Sequence, residues 1–366
     1  MRFILIFVLI LCACSTPIEQ KQKRLIKIKE VTFPLGFAPS RMNHFEDENH
    51  EFFGFLDYQT FKKFSVFNSK GDFIYSFSIK ELMERSGKQF NSFSFQSIDT
   101  IAFLSRSGTN HLVVLDSVGN AILEKDFSFL YKKEVSIYAP FILSNNVIRA
   151  AINYHDTIPV TKIDREYYKN FFNKKIQFYN VMMDTLFTLG TEPSLQIDSF
   201  YSRFTTDEEW STEVNKILYL EDKNIIYSAY SDSIYSYDLK GKLLNIKPII
   251  SKKHKLRVNP LSIDGKLDIV ENIDKHTHIS HLLWDKYRSL YYCFVPEEVK
   301  ENGETPFTII VLDSDFNTLS EIDMDCTQYF LDKFEYFPAF VGKEGLYIMN
   351  KSKNIKETTF SILRYE

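Results

Sequence analysis

The sequence predicts an all-β fold: a six-bladed β-propeller in which an N-terminal strand closes the last blade. Three observations carry this expectation. A hairpin with Asn or Asp at its corner recurs along the chain, and two further strand-like runs precede each copy. Aromatic residues make up 16% of the sequence, with 34 Phe and 21 Tyr, a bias that suits pleated, half-buried surfaces. At 366 residues and 44% hydrophobic content the chain has enough apolar material for a large core. Repeat architectures exceed the size of an ordinary domain as one unit.

Residues 1–13 read as a lipoprotein signal peptide. Met1-Arg2 is a short positive segment, and residues 3–11 form an apolar run too short to span a bilayer. The run ends in Leu11-Cys12-Ala13-Cys14, which resembles a bacterial lipobox. Such signals need a small residue before the acceptor, and Ala13 supplies it, so Cys14 is the predicted lipidation site. Acyl chains on Cys14, not a spanning helix, then make the membrane the first predicted partner. Ser15, where Asp would signal inner-membrane retention, favours outer-membrane routing within the cell envelope. Periplasm-facing and surface-facing orientations both stay open. The alternative is an ordinary secretory signal with a chance cysteine. Residues 14–23 are polar and form a tether.

Residues 24–366 form the propeller. Runs 42–46 and 52–57 precede the first hairpin, which turns at Asn68. Runs 93–96 and 100–104 precede the second, at Asp116; 138–143 and 147–153 the third, at Asn180; 216–220 and 224–230 the fourth, at Asp238; and 278–284 and 290–295 the fifth, at Asp313. In a type I turn the first side chain accepts a backbone N–H, and a fourth-position Gly tolerates positive φ. Asn68/Gly71, Asp116/Gly119 and Asp238/Gly241 meet both demands, whereas Met183 and Phe316 stand where Gly is expected. Runs 336–341, 345–349 and 359–365 make a sixth blade one strand short. The alternating stretch 25–31 supplies the missing strand and hides an edge. A ring of five or seven blades is the alternative. Short helices are expected at 79–85 and 164–170.

The longest connections, 154–173, 190–212, 247–275 and 296–306, all fall on one face of such a ring. Loops on a rigid scaffold carry function more often than the scaffold, so this is the expected binding face. The run His276-Thr277-His278-Ile279-Ser280-His281 opens the inner strand of the fifth blade. Alternation then sets His276 and His278 on one side and His281 on the other. A metal would need a further ligand, such as His155 or Asp156. Hydrogen-bonded histidines at the channel mouth are the simpler reading, and neither a metal nor a cofactor is expected. Trp210 follows Asp207-Glu208-Glu209 in one long connection, and Tyr167 belongs to an aromatic group with Tyr168, Phe171 and Phe172 in another. His155, Asp156, Tyr167, Trp210, His276 and His278 are thus the candidate binding residues.

No catalytic residue is identified. G-x-S-x-G, P-loop and H-E-x-x-H patterns are absent from the sequence. A net charge of -4 gives no global basic field, which argues against nucleic acid as a partner. Only 4 Cys occur, too few for a disulfide scaffold. Cys293 and Cys326 are either bonded or two buried thiols.

From residue 25 to residue 366 the chain resembles the TolB-like six-bladed propeller lipoproteins of Gram-negative envelopes. The resemblance rests on the lipobox, the turns at Asn68, Asp116, Asn180, Asp238 and Asp313, and residues 276–294 with Trp284-Asp285-Lys286-Tyr287-Arg288 and Tyr291-Tyr292. It implies a propeller of unknown function and brings no functional residue with it. The expected role is a non-enzymatic envelope protein that binds a ligand, a protein partner or a glycan through the long-loop face. The alternative is a carbohydrate- or peptide-acting hydrolase or lyase with a central-channel site.

Overall fold

In the computed structural model the described residues are 24–37, 39, 41–57, 62–105, 111–126, 135–144, 147–154, 175–180, 185–191, 215–228, 231–239, 242–256, 277–331, 339–351 and 357–366. Their strands form six four-stranded antiparallel sheets. The first holds β2 (Arg41–Glu46), β3 (Glu51–Asp57), β4 (Lys63–Asn68) and β5 (Phe73–Ser78). The second holds β6 (Phe90–Ser97), β7 (Thr100–Ser105), β8 (His111–Asp116) and β9 (Ala121–Asp126). The third holds β10 (Val135–Ser144), β11 (Val147–Tyr154), β12 (Lys175–Asn180) and β13 (Thr185–Thr191). The fourth holds β14 (Asn215–Tyr219), β15 (Lys223–Ser228), β16 (Ser233–Asp238) and β17 (Leu243–Pro248). The fifth holds β18 (His281–Asp285), β19 (Leu290–Pro296), β20 (Phe307–Asp313) and β21 (Thr318–Met324). The sixth orders β22 (Ala339–Val341), β23 (Leu346–Met349), β24 (Thr358–Tyr365) and, outermost, β1 (Leu25–Phe33).

Sequence chemistry explains the layering. Middle strands are almost continuously apolar, as in Leu290–Pro296 and Phe307–Asp313, and both faces of those strands are buried. Outer strands such as Ala121–Asp126 are largely exposed, apolar Ile122 included. First strands adjoin in ring order: β2 touches β22 and β6, β6 touches β10, and β18 touches β14 and β22. Between the third and fourth sheets, Ile142 packs against the cluster of Ile217, Tyr219, Ile226 and Tyr237, and Arg149 Nη1 donates to the Leu220 carbonyl at 2.8 Å. The chain is an all-β propeller.

The recurring corner works as its chemistry demands. Asp116 Oδ1 accepts the N–H groups of Val118 and Asn120 at 3.1 and 2.7 Å, and Gly119 takes φ 90°. Asn68 repeats this with Lys70 and Asp72, with Gly71 at φ 88°. At Asp313 the pattern holds with Asp315 and Asn317, yet the positive-φ residue is Phe316, at 62°. A non-glycine residue there costs about 1–2 kcal/mol. The Phe316 ring is buried and stacked on Tyr291 at 4.6 Å, and burial of about 1.5–3 kcal/mol offsets the strain. Residues 181–184, with Met183, lie outside the described set, although Asn180 and Thr185 pair across that hairpin.

Closure uses the first strand. β1 runs antiparallel to β24 from Leu25↔Tyr365 to Phe33↔Thr358. Arg24 and Glu366 exchange two backbone hydrogen bonds of 2.9 and 3.0 Å beyond it. Phe33 is fully buried among the rings of Phe53, Phe55, Phe67 and Phe360. At the turn between β22 and β23, a side chain on Gly345 would meet the Leu363 carbonyl at 2.2 Å.

The helix expected at 79–85 is α1 (Lys80–Ser86), which buries Leu82 and Met83 and stops at Gly87 with φ 64°. The helix expected at 164–170 lies outside the described residues. Cys293 and Cys326 are free and buried, so they are two thiols and not a disulfide. One expectation is corrected. The inner strand of the fifth sheet begins at His281, and residues 277–280 belong to no strand. The alternation assigned to His276, His278 and His281 therefore does not apply. The Ser280 N–H still reaches the Phe294 carbonyl at 2.9 Å, but the pleat starts one residue later.

Candidate functional site

Strand direction sorts the connections. Each inner strand starts on one face, where β11–β12, β13–β14, β17–β18 and β19–β20 are also joined. These are the long connections. The opposite face carries tight turns such as 286–289, 314–317 and 342–345.

On the long-loop face, cations and imidazoles gather where the inner strands begin. Lys216 is the second residue of β14 and His281 opens β18, and Lys216 Nζ stands 3.1 Å from His281 Nε2. His281 Nδ1 is 3.2 Å from Ser280 Oγ, whose own hydroxyl donates to the Phe294 carbonyl. That chain of bonds assigns the proton to Nδ1 and makes Nε2 the acceptor for the lysine ammonium. Burial drives His281 well below the usual histidine range, and Lys216, His278 and Arg41 push it the same way. Arg41 opens β2, so three inner strands contribute to one group. His278 is 3% exposed, and its influence on His281 is electrostatic. His155, Asp156, Tyr167, Trp210, His276 and Cys14 lie outside the described residues. The hydrolase or lyase alternative called for carboxylates beside His276 and His278. The described groups that act on His281 are cationic or imidazole.

A second cluster sits further out on the same face. His254, in the connection after β17, presents Nε2 at 2.9 Å from Thr308 Oγ1 and 3.8 Å from Glu297 Oε1. Thr308 is fully buried and donates to Asp323 Oδ1 at 2.9 Å. Lys253 Nζ contacts both Asp323 oxygens at 2.7 Å. The hydrogen bond from Lys253 holds the Asp323 carboxyl below its ordinary range, against desolvation and with help from Thr308. Glu321 fixes the loop by accepting from Ser251 Oγ and the Lys252 N–H. Sequence reasoning missed this group. Hairpin register puts Thr308 opposite Asp323, but no spacing links them to His254.

The Trp284-Asp285-Lys286-Tyr287-Arg288 run serves the other face. Asp285 is fully buried and accepts from Arg288 Nη1 at 3.0 Å, from Tyr292 OH at 3.1 Å and from the N–H groups of Tyr287 and Arg288. Arg288 Nη2 continues to the Lys343 carbonyl at 2.8 Å. Lys286 and Lys343 reach Glu46 at 2.7 and 2.9 Å, and the Tyr287 hydroxyl donates to the same carboxylate. Desolvation raises the Glu46 pKa, but these three partners outweigh it and bring it to about 2. The motif stitches the fifth, sixth and first sheets together.

Residues 190–323 match a family model, the domain of unknown function DUF4221. A DUF4221 member from Bacteroides vulgatus ATCC 8482 has a solved structure similar to this chain. The similarity covers 95% of this chain and 99% of that one, with a TM-score of 0.70 at 16% identity. At that identity the likeness speaks for the fold. A protein of unknown function from Bacteroides thetaiotaomicron VPI-5482 aligns over 93% of this chain and 72% of its own, with a TM-score of 0.45 and 10% identity. The β-propeller domain of Myceliophteria thermophila Cps50 (Swd1) covers 92% and 98%, with a TM-score of 0.41 and 10% identity. No curated protein matches the chain by sequence.

Proposed function

We propose that the chain is a six-bladed envelope lipoprotein, held to the outer membrane by acyl chains on Cys14, that binds an anionic ligand at the long-loop mouth of its channel. The observation that carries this reading is the convergence of Arg41, Lys216, His278 and His281 from separate elements. Fixed cations in a confined, partly dry mouth focus their field outward and form charge-assisted bonds to carboxylate, sulfate or phosphate oxygens. Strand polarity supports the orientation. Arg24 pairs with Glu366 on the tight-turn face, so a tether continuing toward Cys14 leaves the long loops directed away from the bilayer. The resemblance to TolB-like envelope propellers belongs to the same proposal.

The binding test is a fluorescence titration of the purified chain with oligosaccharides bearing uronate, sulfate or phosphate groups, each beside its neutral counterpart. Acidic members are expected to bind. Lys216→Glu and Arg41→Glu are each expected to weaken that binding at least about tenfold, since a hydrogen bond to a charged group is worth about 1.5–3 kcal/mol. Binding confined to neutral sugars, or unaltered in both variants, contradicts the reading. The anchor is tested separately by metabolic labelling with a fatty acid. Wild-type chain is expected to carry the label in the membrane fraction, and Cys14→Ser to lose it. An unlabelled wild-type chain removes the lipid from the proposal.

A further inference from the structure

We propose that His254, Glu297 and Asp323 form a binding site for a divalent transition-metal ion of the zinc or manganese class, on the long-loop face outside the channel mouth. This goes beyond the sequence expectation of no metal, and it does not depend on the anion site.

Three separate segments supply the ligand atoms: the connection after β17, the connection after β19, and β21. One imidazole nitrogen and two carboxylate oxygens all lie within 4.8 Å of one another. A tetrahedral ion with ligand bonds of about 2.0–2.2 Å holds its donors about 3.3–3.6 Å apart. The separation of 3.8 Å between His254 Nε2 and Glu297 Oε1 is close to that spacing. A gap as wide as 4.8 Å must close by about 1 Å, which a side-chain rotation supplies.

Thr308 Oγ1 lies among the three, 2.9 Å from His254 Nε2, 2.9 Å from Asp323 Oδ1 and 3.5 Å from Glu297 Oε1. It is positioned as a fourth ligand or as an outer partner of a bound ion. The donor set decides the class. Calcium seeks about 6–8 oxygens, whereas a mixture of imidazole and carboxylate suits zinc or manganese. Lys253 is the built-in competitor. Its ammonium covers both Asp323 oxygens and must withdraw for the ion to enter. The incoming ion also requires the imidazole proton on Nδ1, leaving the Nε2 lone pair for the metal.

The test is calorimetry on the full chain, stripped with EDTA and titrated with zinc, manganese and calcium chlorides in turn. One equivalent of zinc or manganese is expected to bind and to raise the melting temperature, with calcium at least about tenfold weaker. His254→Ala and the isosteric Glu297→Gln are each expected to lower affinity at least about tenfold. Lys253→Met is expected to raise it, which a purely structural ion-pair network would not produce. Circular dichroism confirms that each variant is folded. The proposal fails if wild-type chain takes up no equivalent of either ion, if both ligand variants bind as wild type does, or if Lys253→Met weakens binding.

Discussion

Deletion of residues 24–33 is expected to abolish the cooperative fold. The deletion removes eight cross-strand residue pairs with β24 and leaves that strand as an open edge. Phe360, Ile362 and Leu363 of β24 are buried and belong to the clusters that β1 and its neighbours cover. Val31 and Phe33 leave the core in the same step. One of these side chains alone is costly: Phe33→Ala is expected to lose about 3–5 kcal/mol. The whole strand therefore competes with the entire stability of a typical domain, about 5–15 kcal/mol. The measurement is a thermal melt followed by near-ultraviolet circular dichroism. A sharp transition within a few degrees of the full chain would show that β1 is dispensable.

Asp285→Ala is expected to destabilise the chain by about 3–5 kcal/mol, read as a fall in the denaturant midpoint. Asp285 is fully buried, and its carboxylate neutralises Arg288, whose side chain is only 18% exposed. Truncation leaves that guanidinium without its counter-ion, and it strands the Tyr292 hydroxyl and the Tyr287 N–H, while the Arg288 N–H keeps only a longer bond of 3.3 Å to the Asp285 carbonyl. Each of those groups then bears a desolvation cost that water had met in the unfolded chain. Asp285→Asn keeps the shape and part of the hydrogen bonding, so its loss should be smaller. A change of under about 1 kcal/mol in Asp285→Ala would mean that the carboxylate does not hold the fifth sheet to the sixth.

What the sequence revealed followed the range of each interaction. Corners at Asn68, Asp116 and Asp313 were legible because the whole turn is encoded within five residues. The missing strand at 25–31 was legible because blade arithmetic left one vacancy. Phe316 was not, since its tolerance of positive φ depends on Tyr291, a neighbour across the fold. The histidine run was misread for a related reason. Alternation holds only inside a pleat, and the pleat begins at His281. On the long-loop face the histidines of the first charged group were legible, but its cations Arg41 and Lys216 and the whole second group were not, because their members are far apart in sequence. Lys216 and His281 are separated by 65 residues, and Thr308 and His254 by 54. Periodicity sees one element at a time, whereas these groups depend on how separate sheets are set around an axis.

Joining β1 to β24 also dictates an order of events during synthesis. β1 has its partner in β24, so the residues between them, 34–357, must be produced before β1 can settle. Until then the contact of Phe33 with Phe360 is missing, and the growing sheets expose sticky edges. Such a long-range pairing is slow in principle, because a very large loop must close before any contact repays it. A polypeptide delivered end-first through a narrow pore would spend that interval half-assembled. It would depend on holdase protection until the two ends meet.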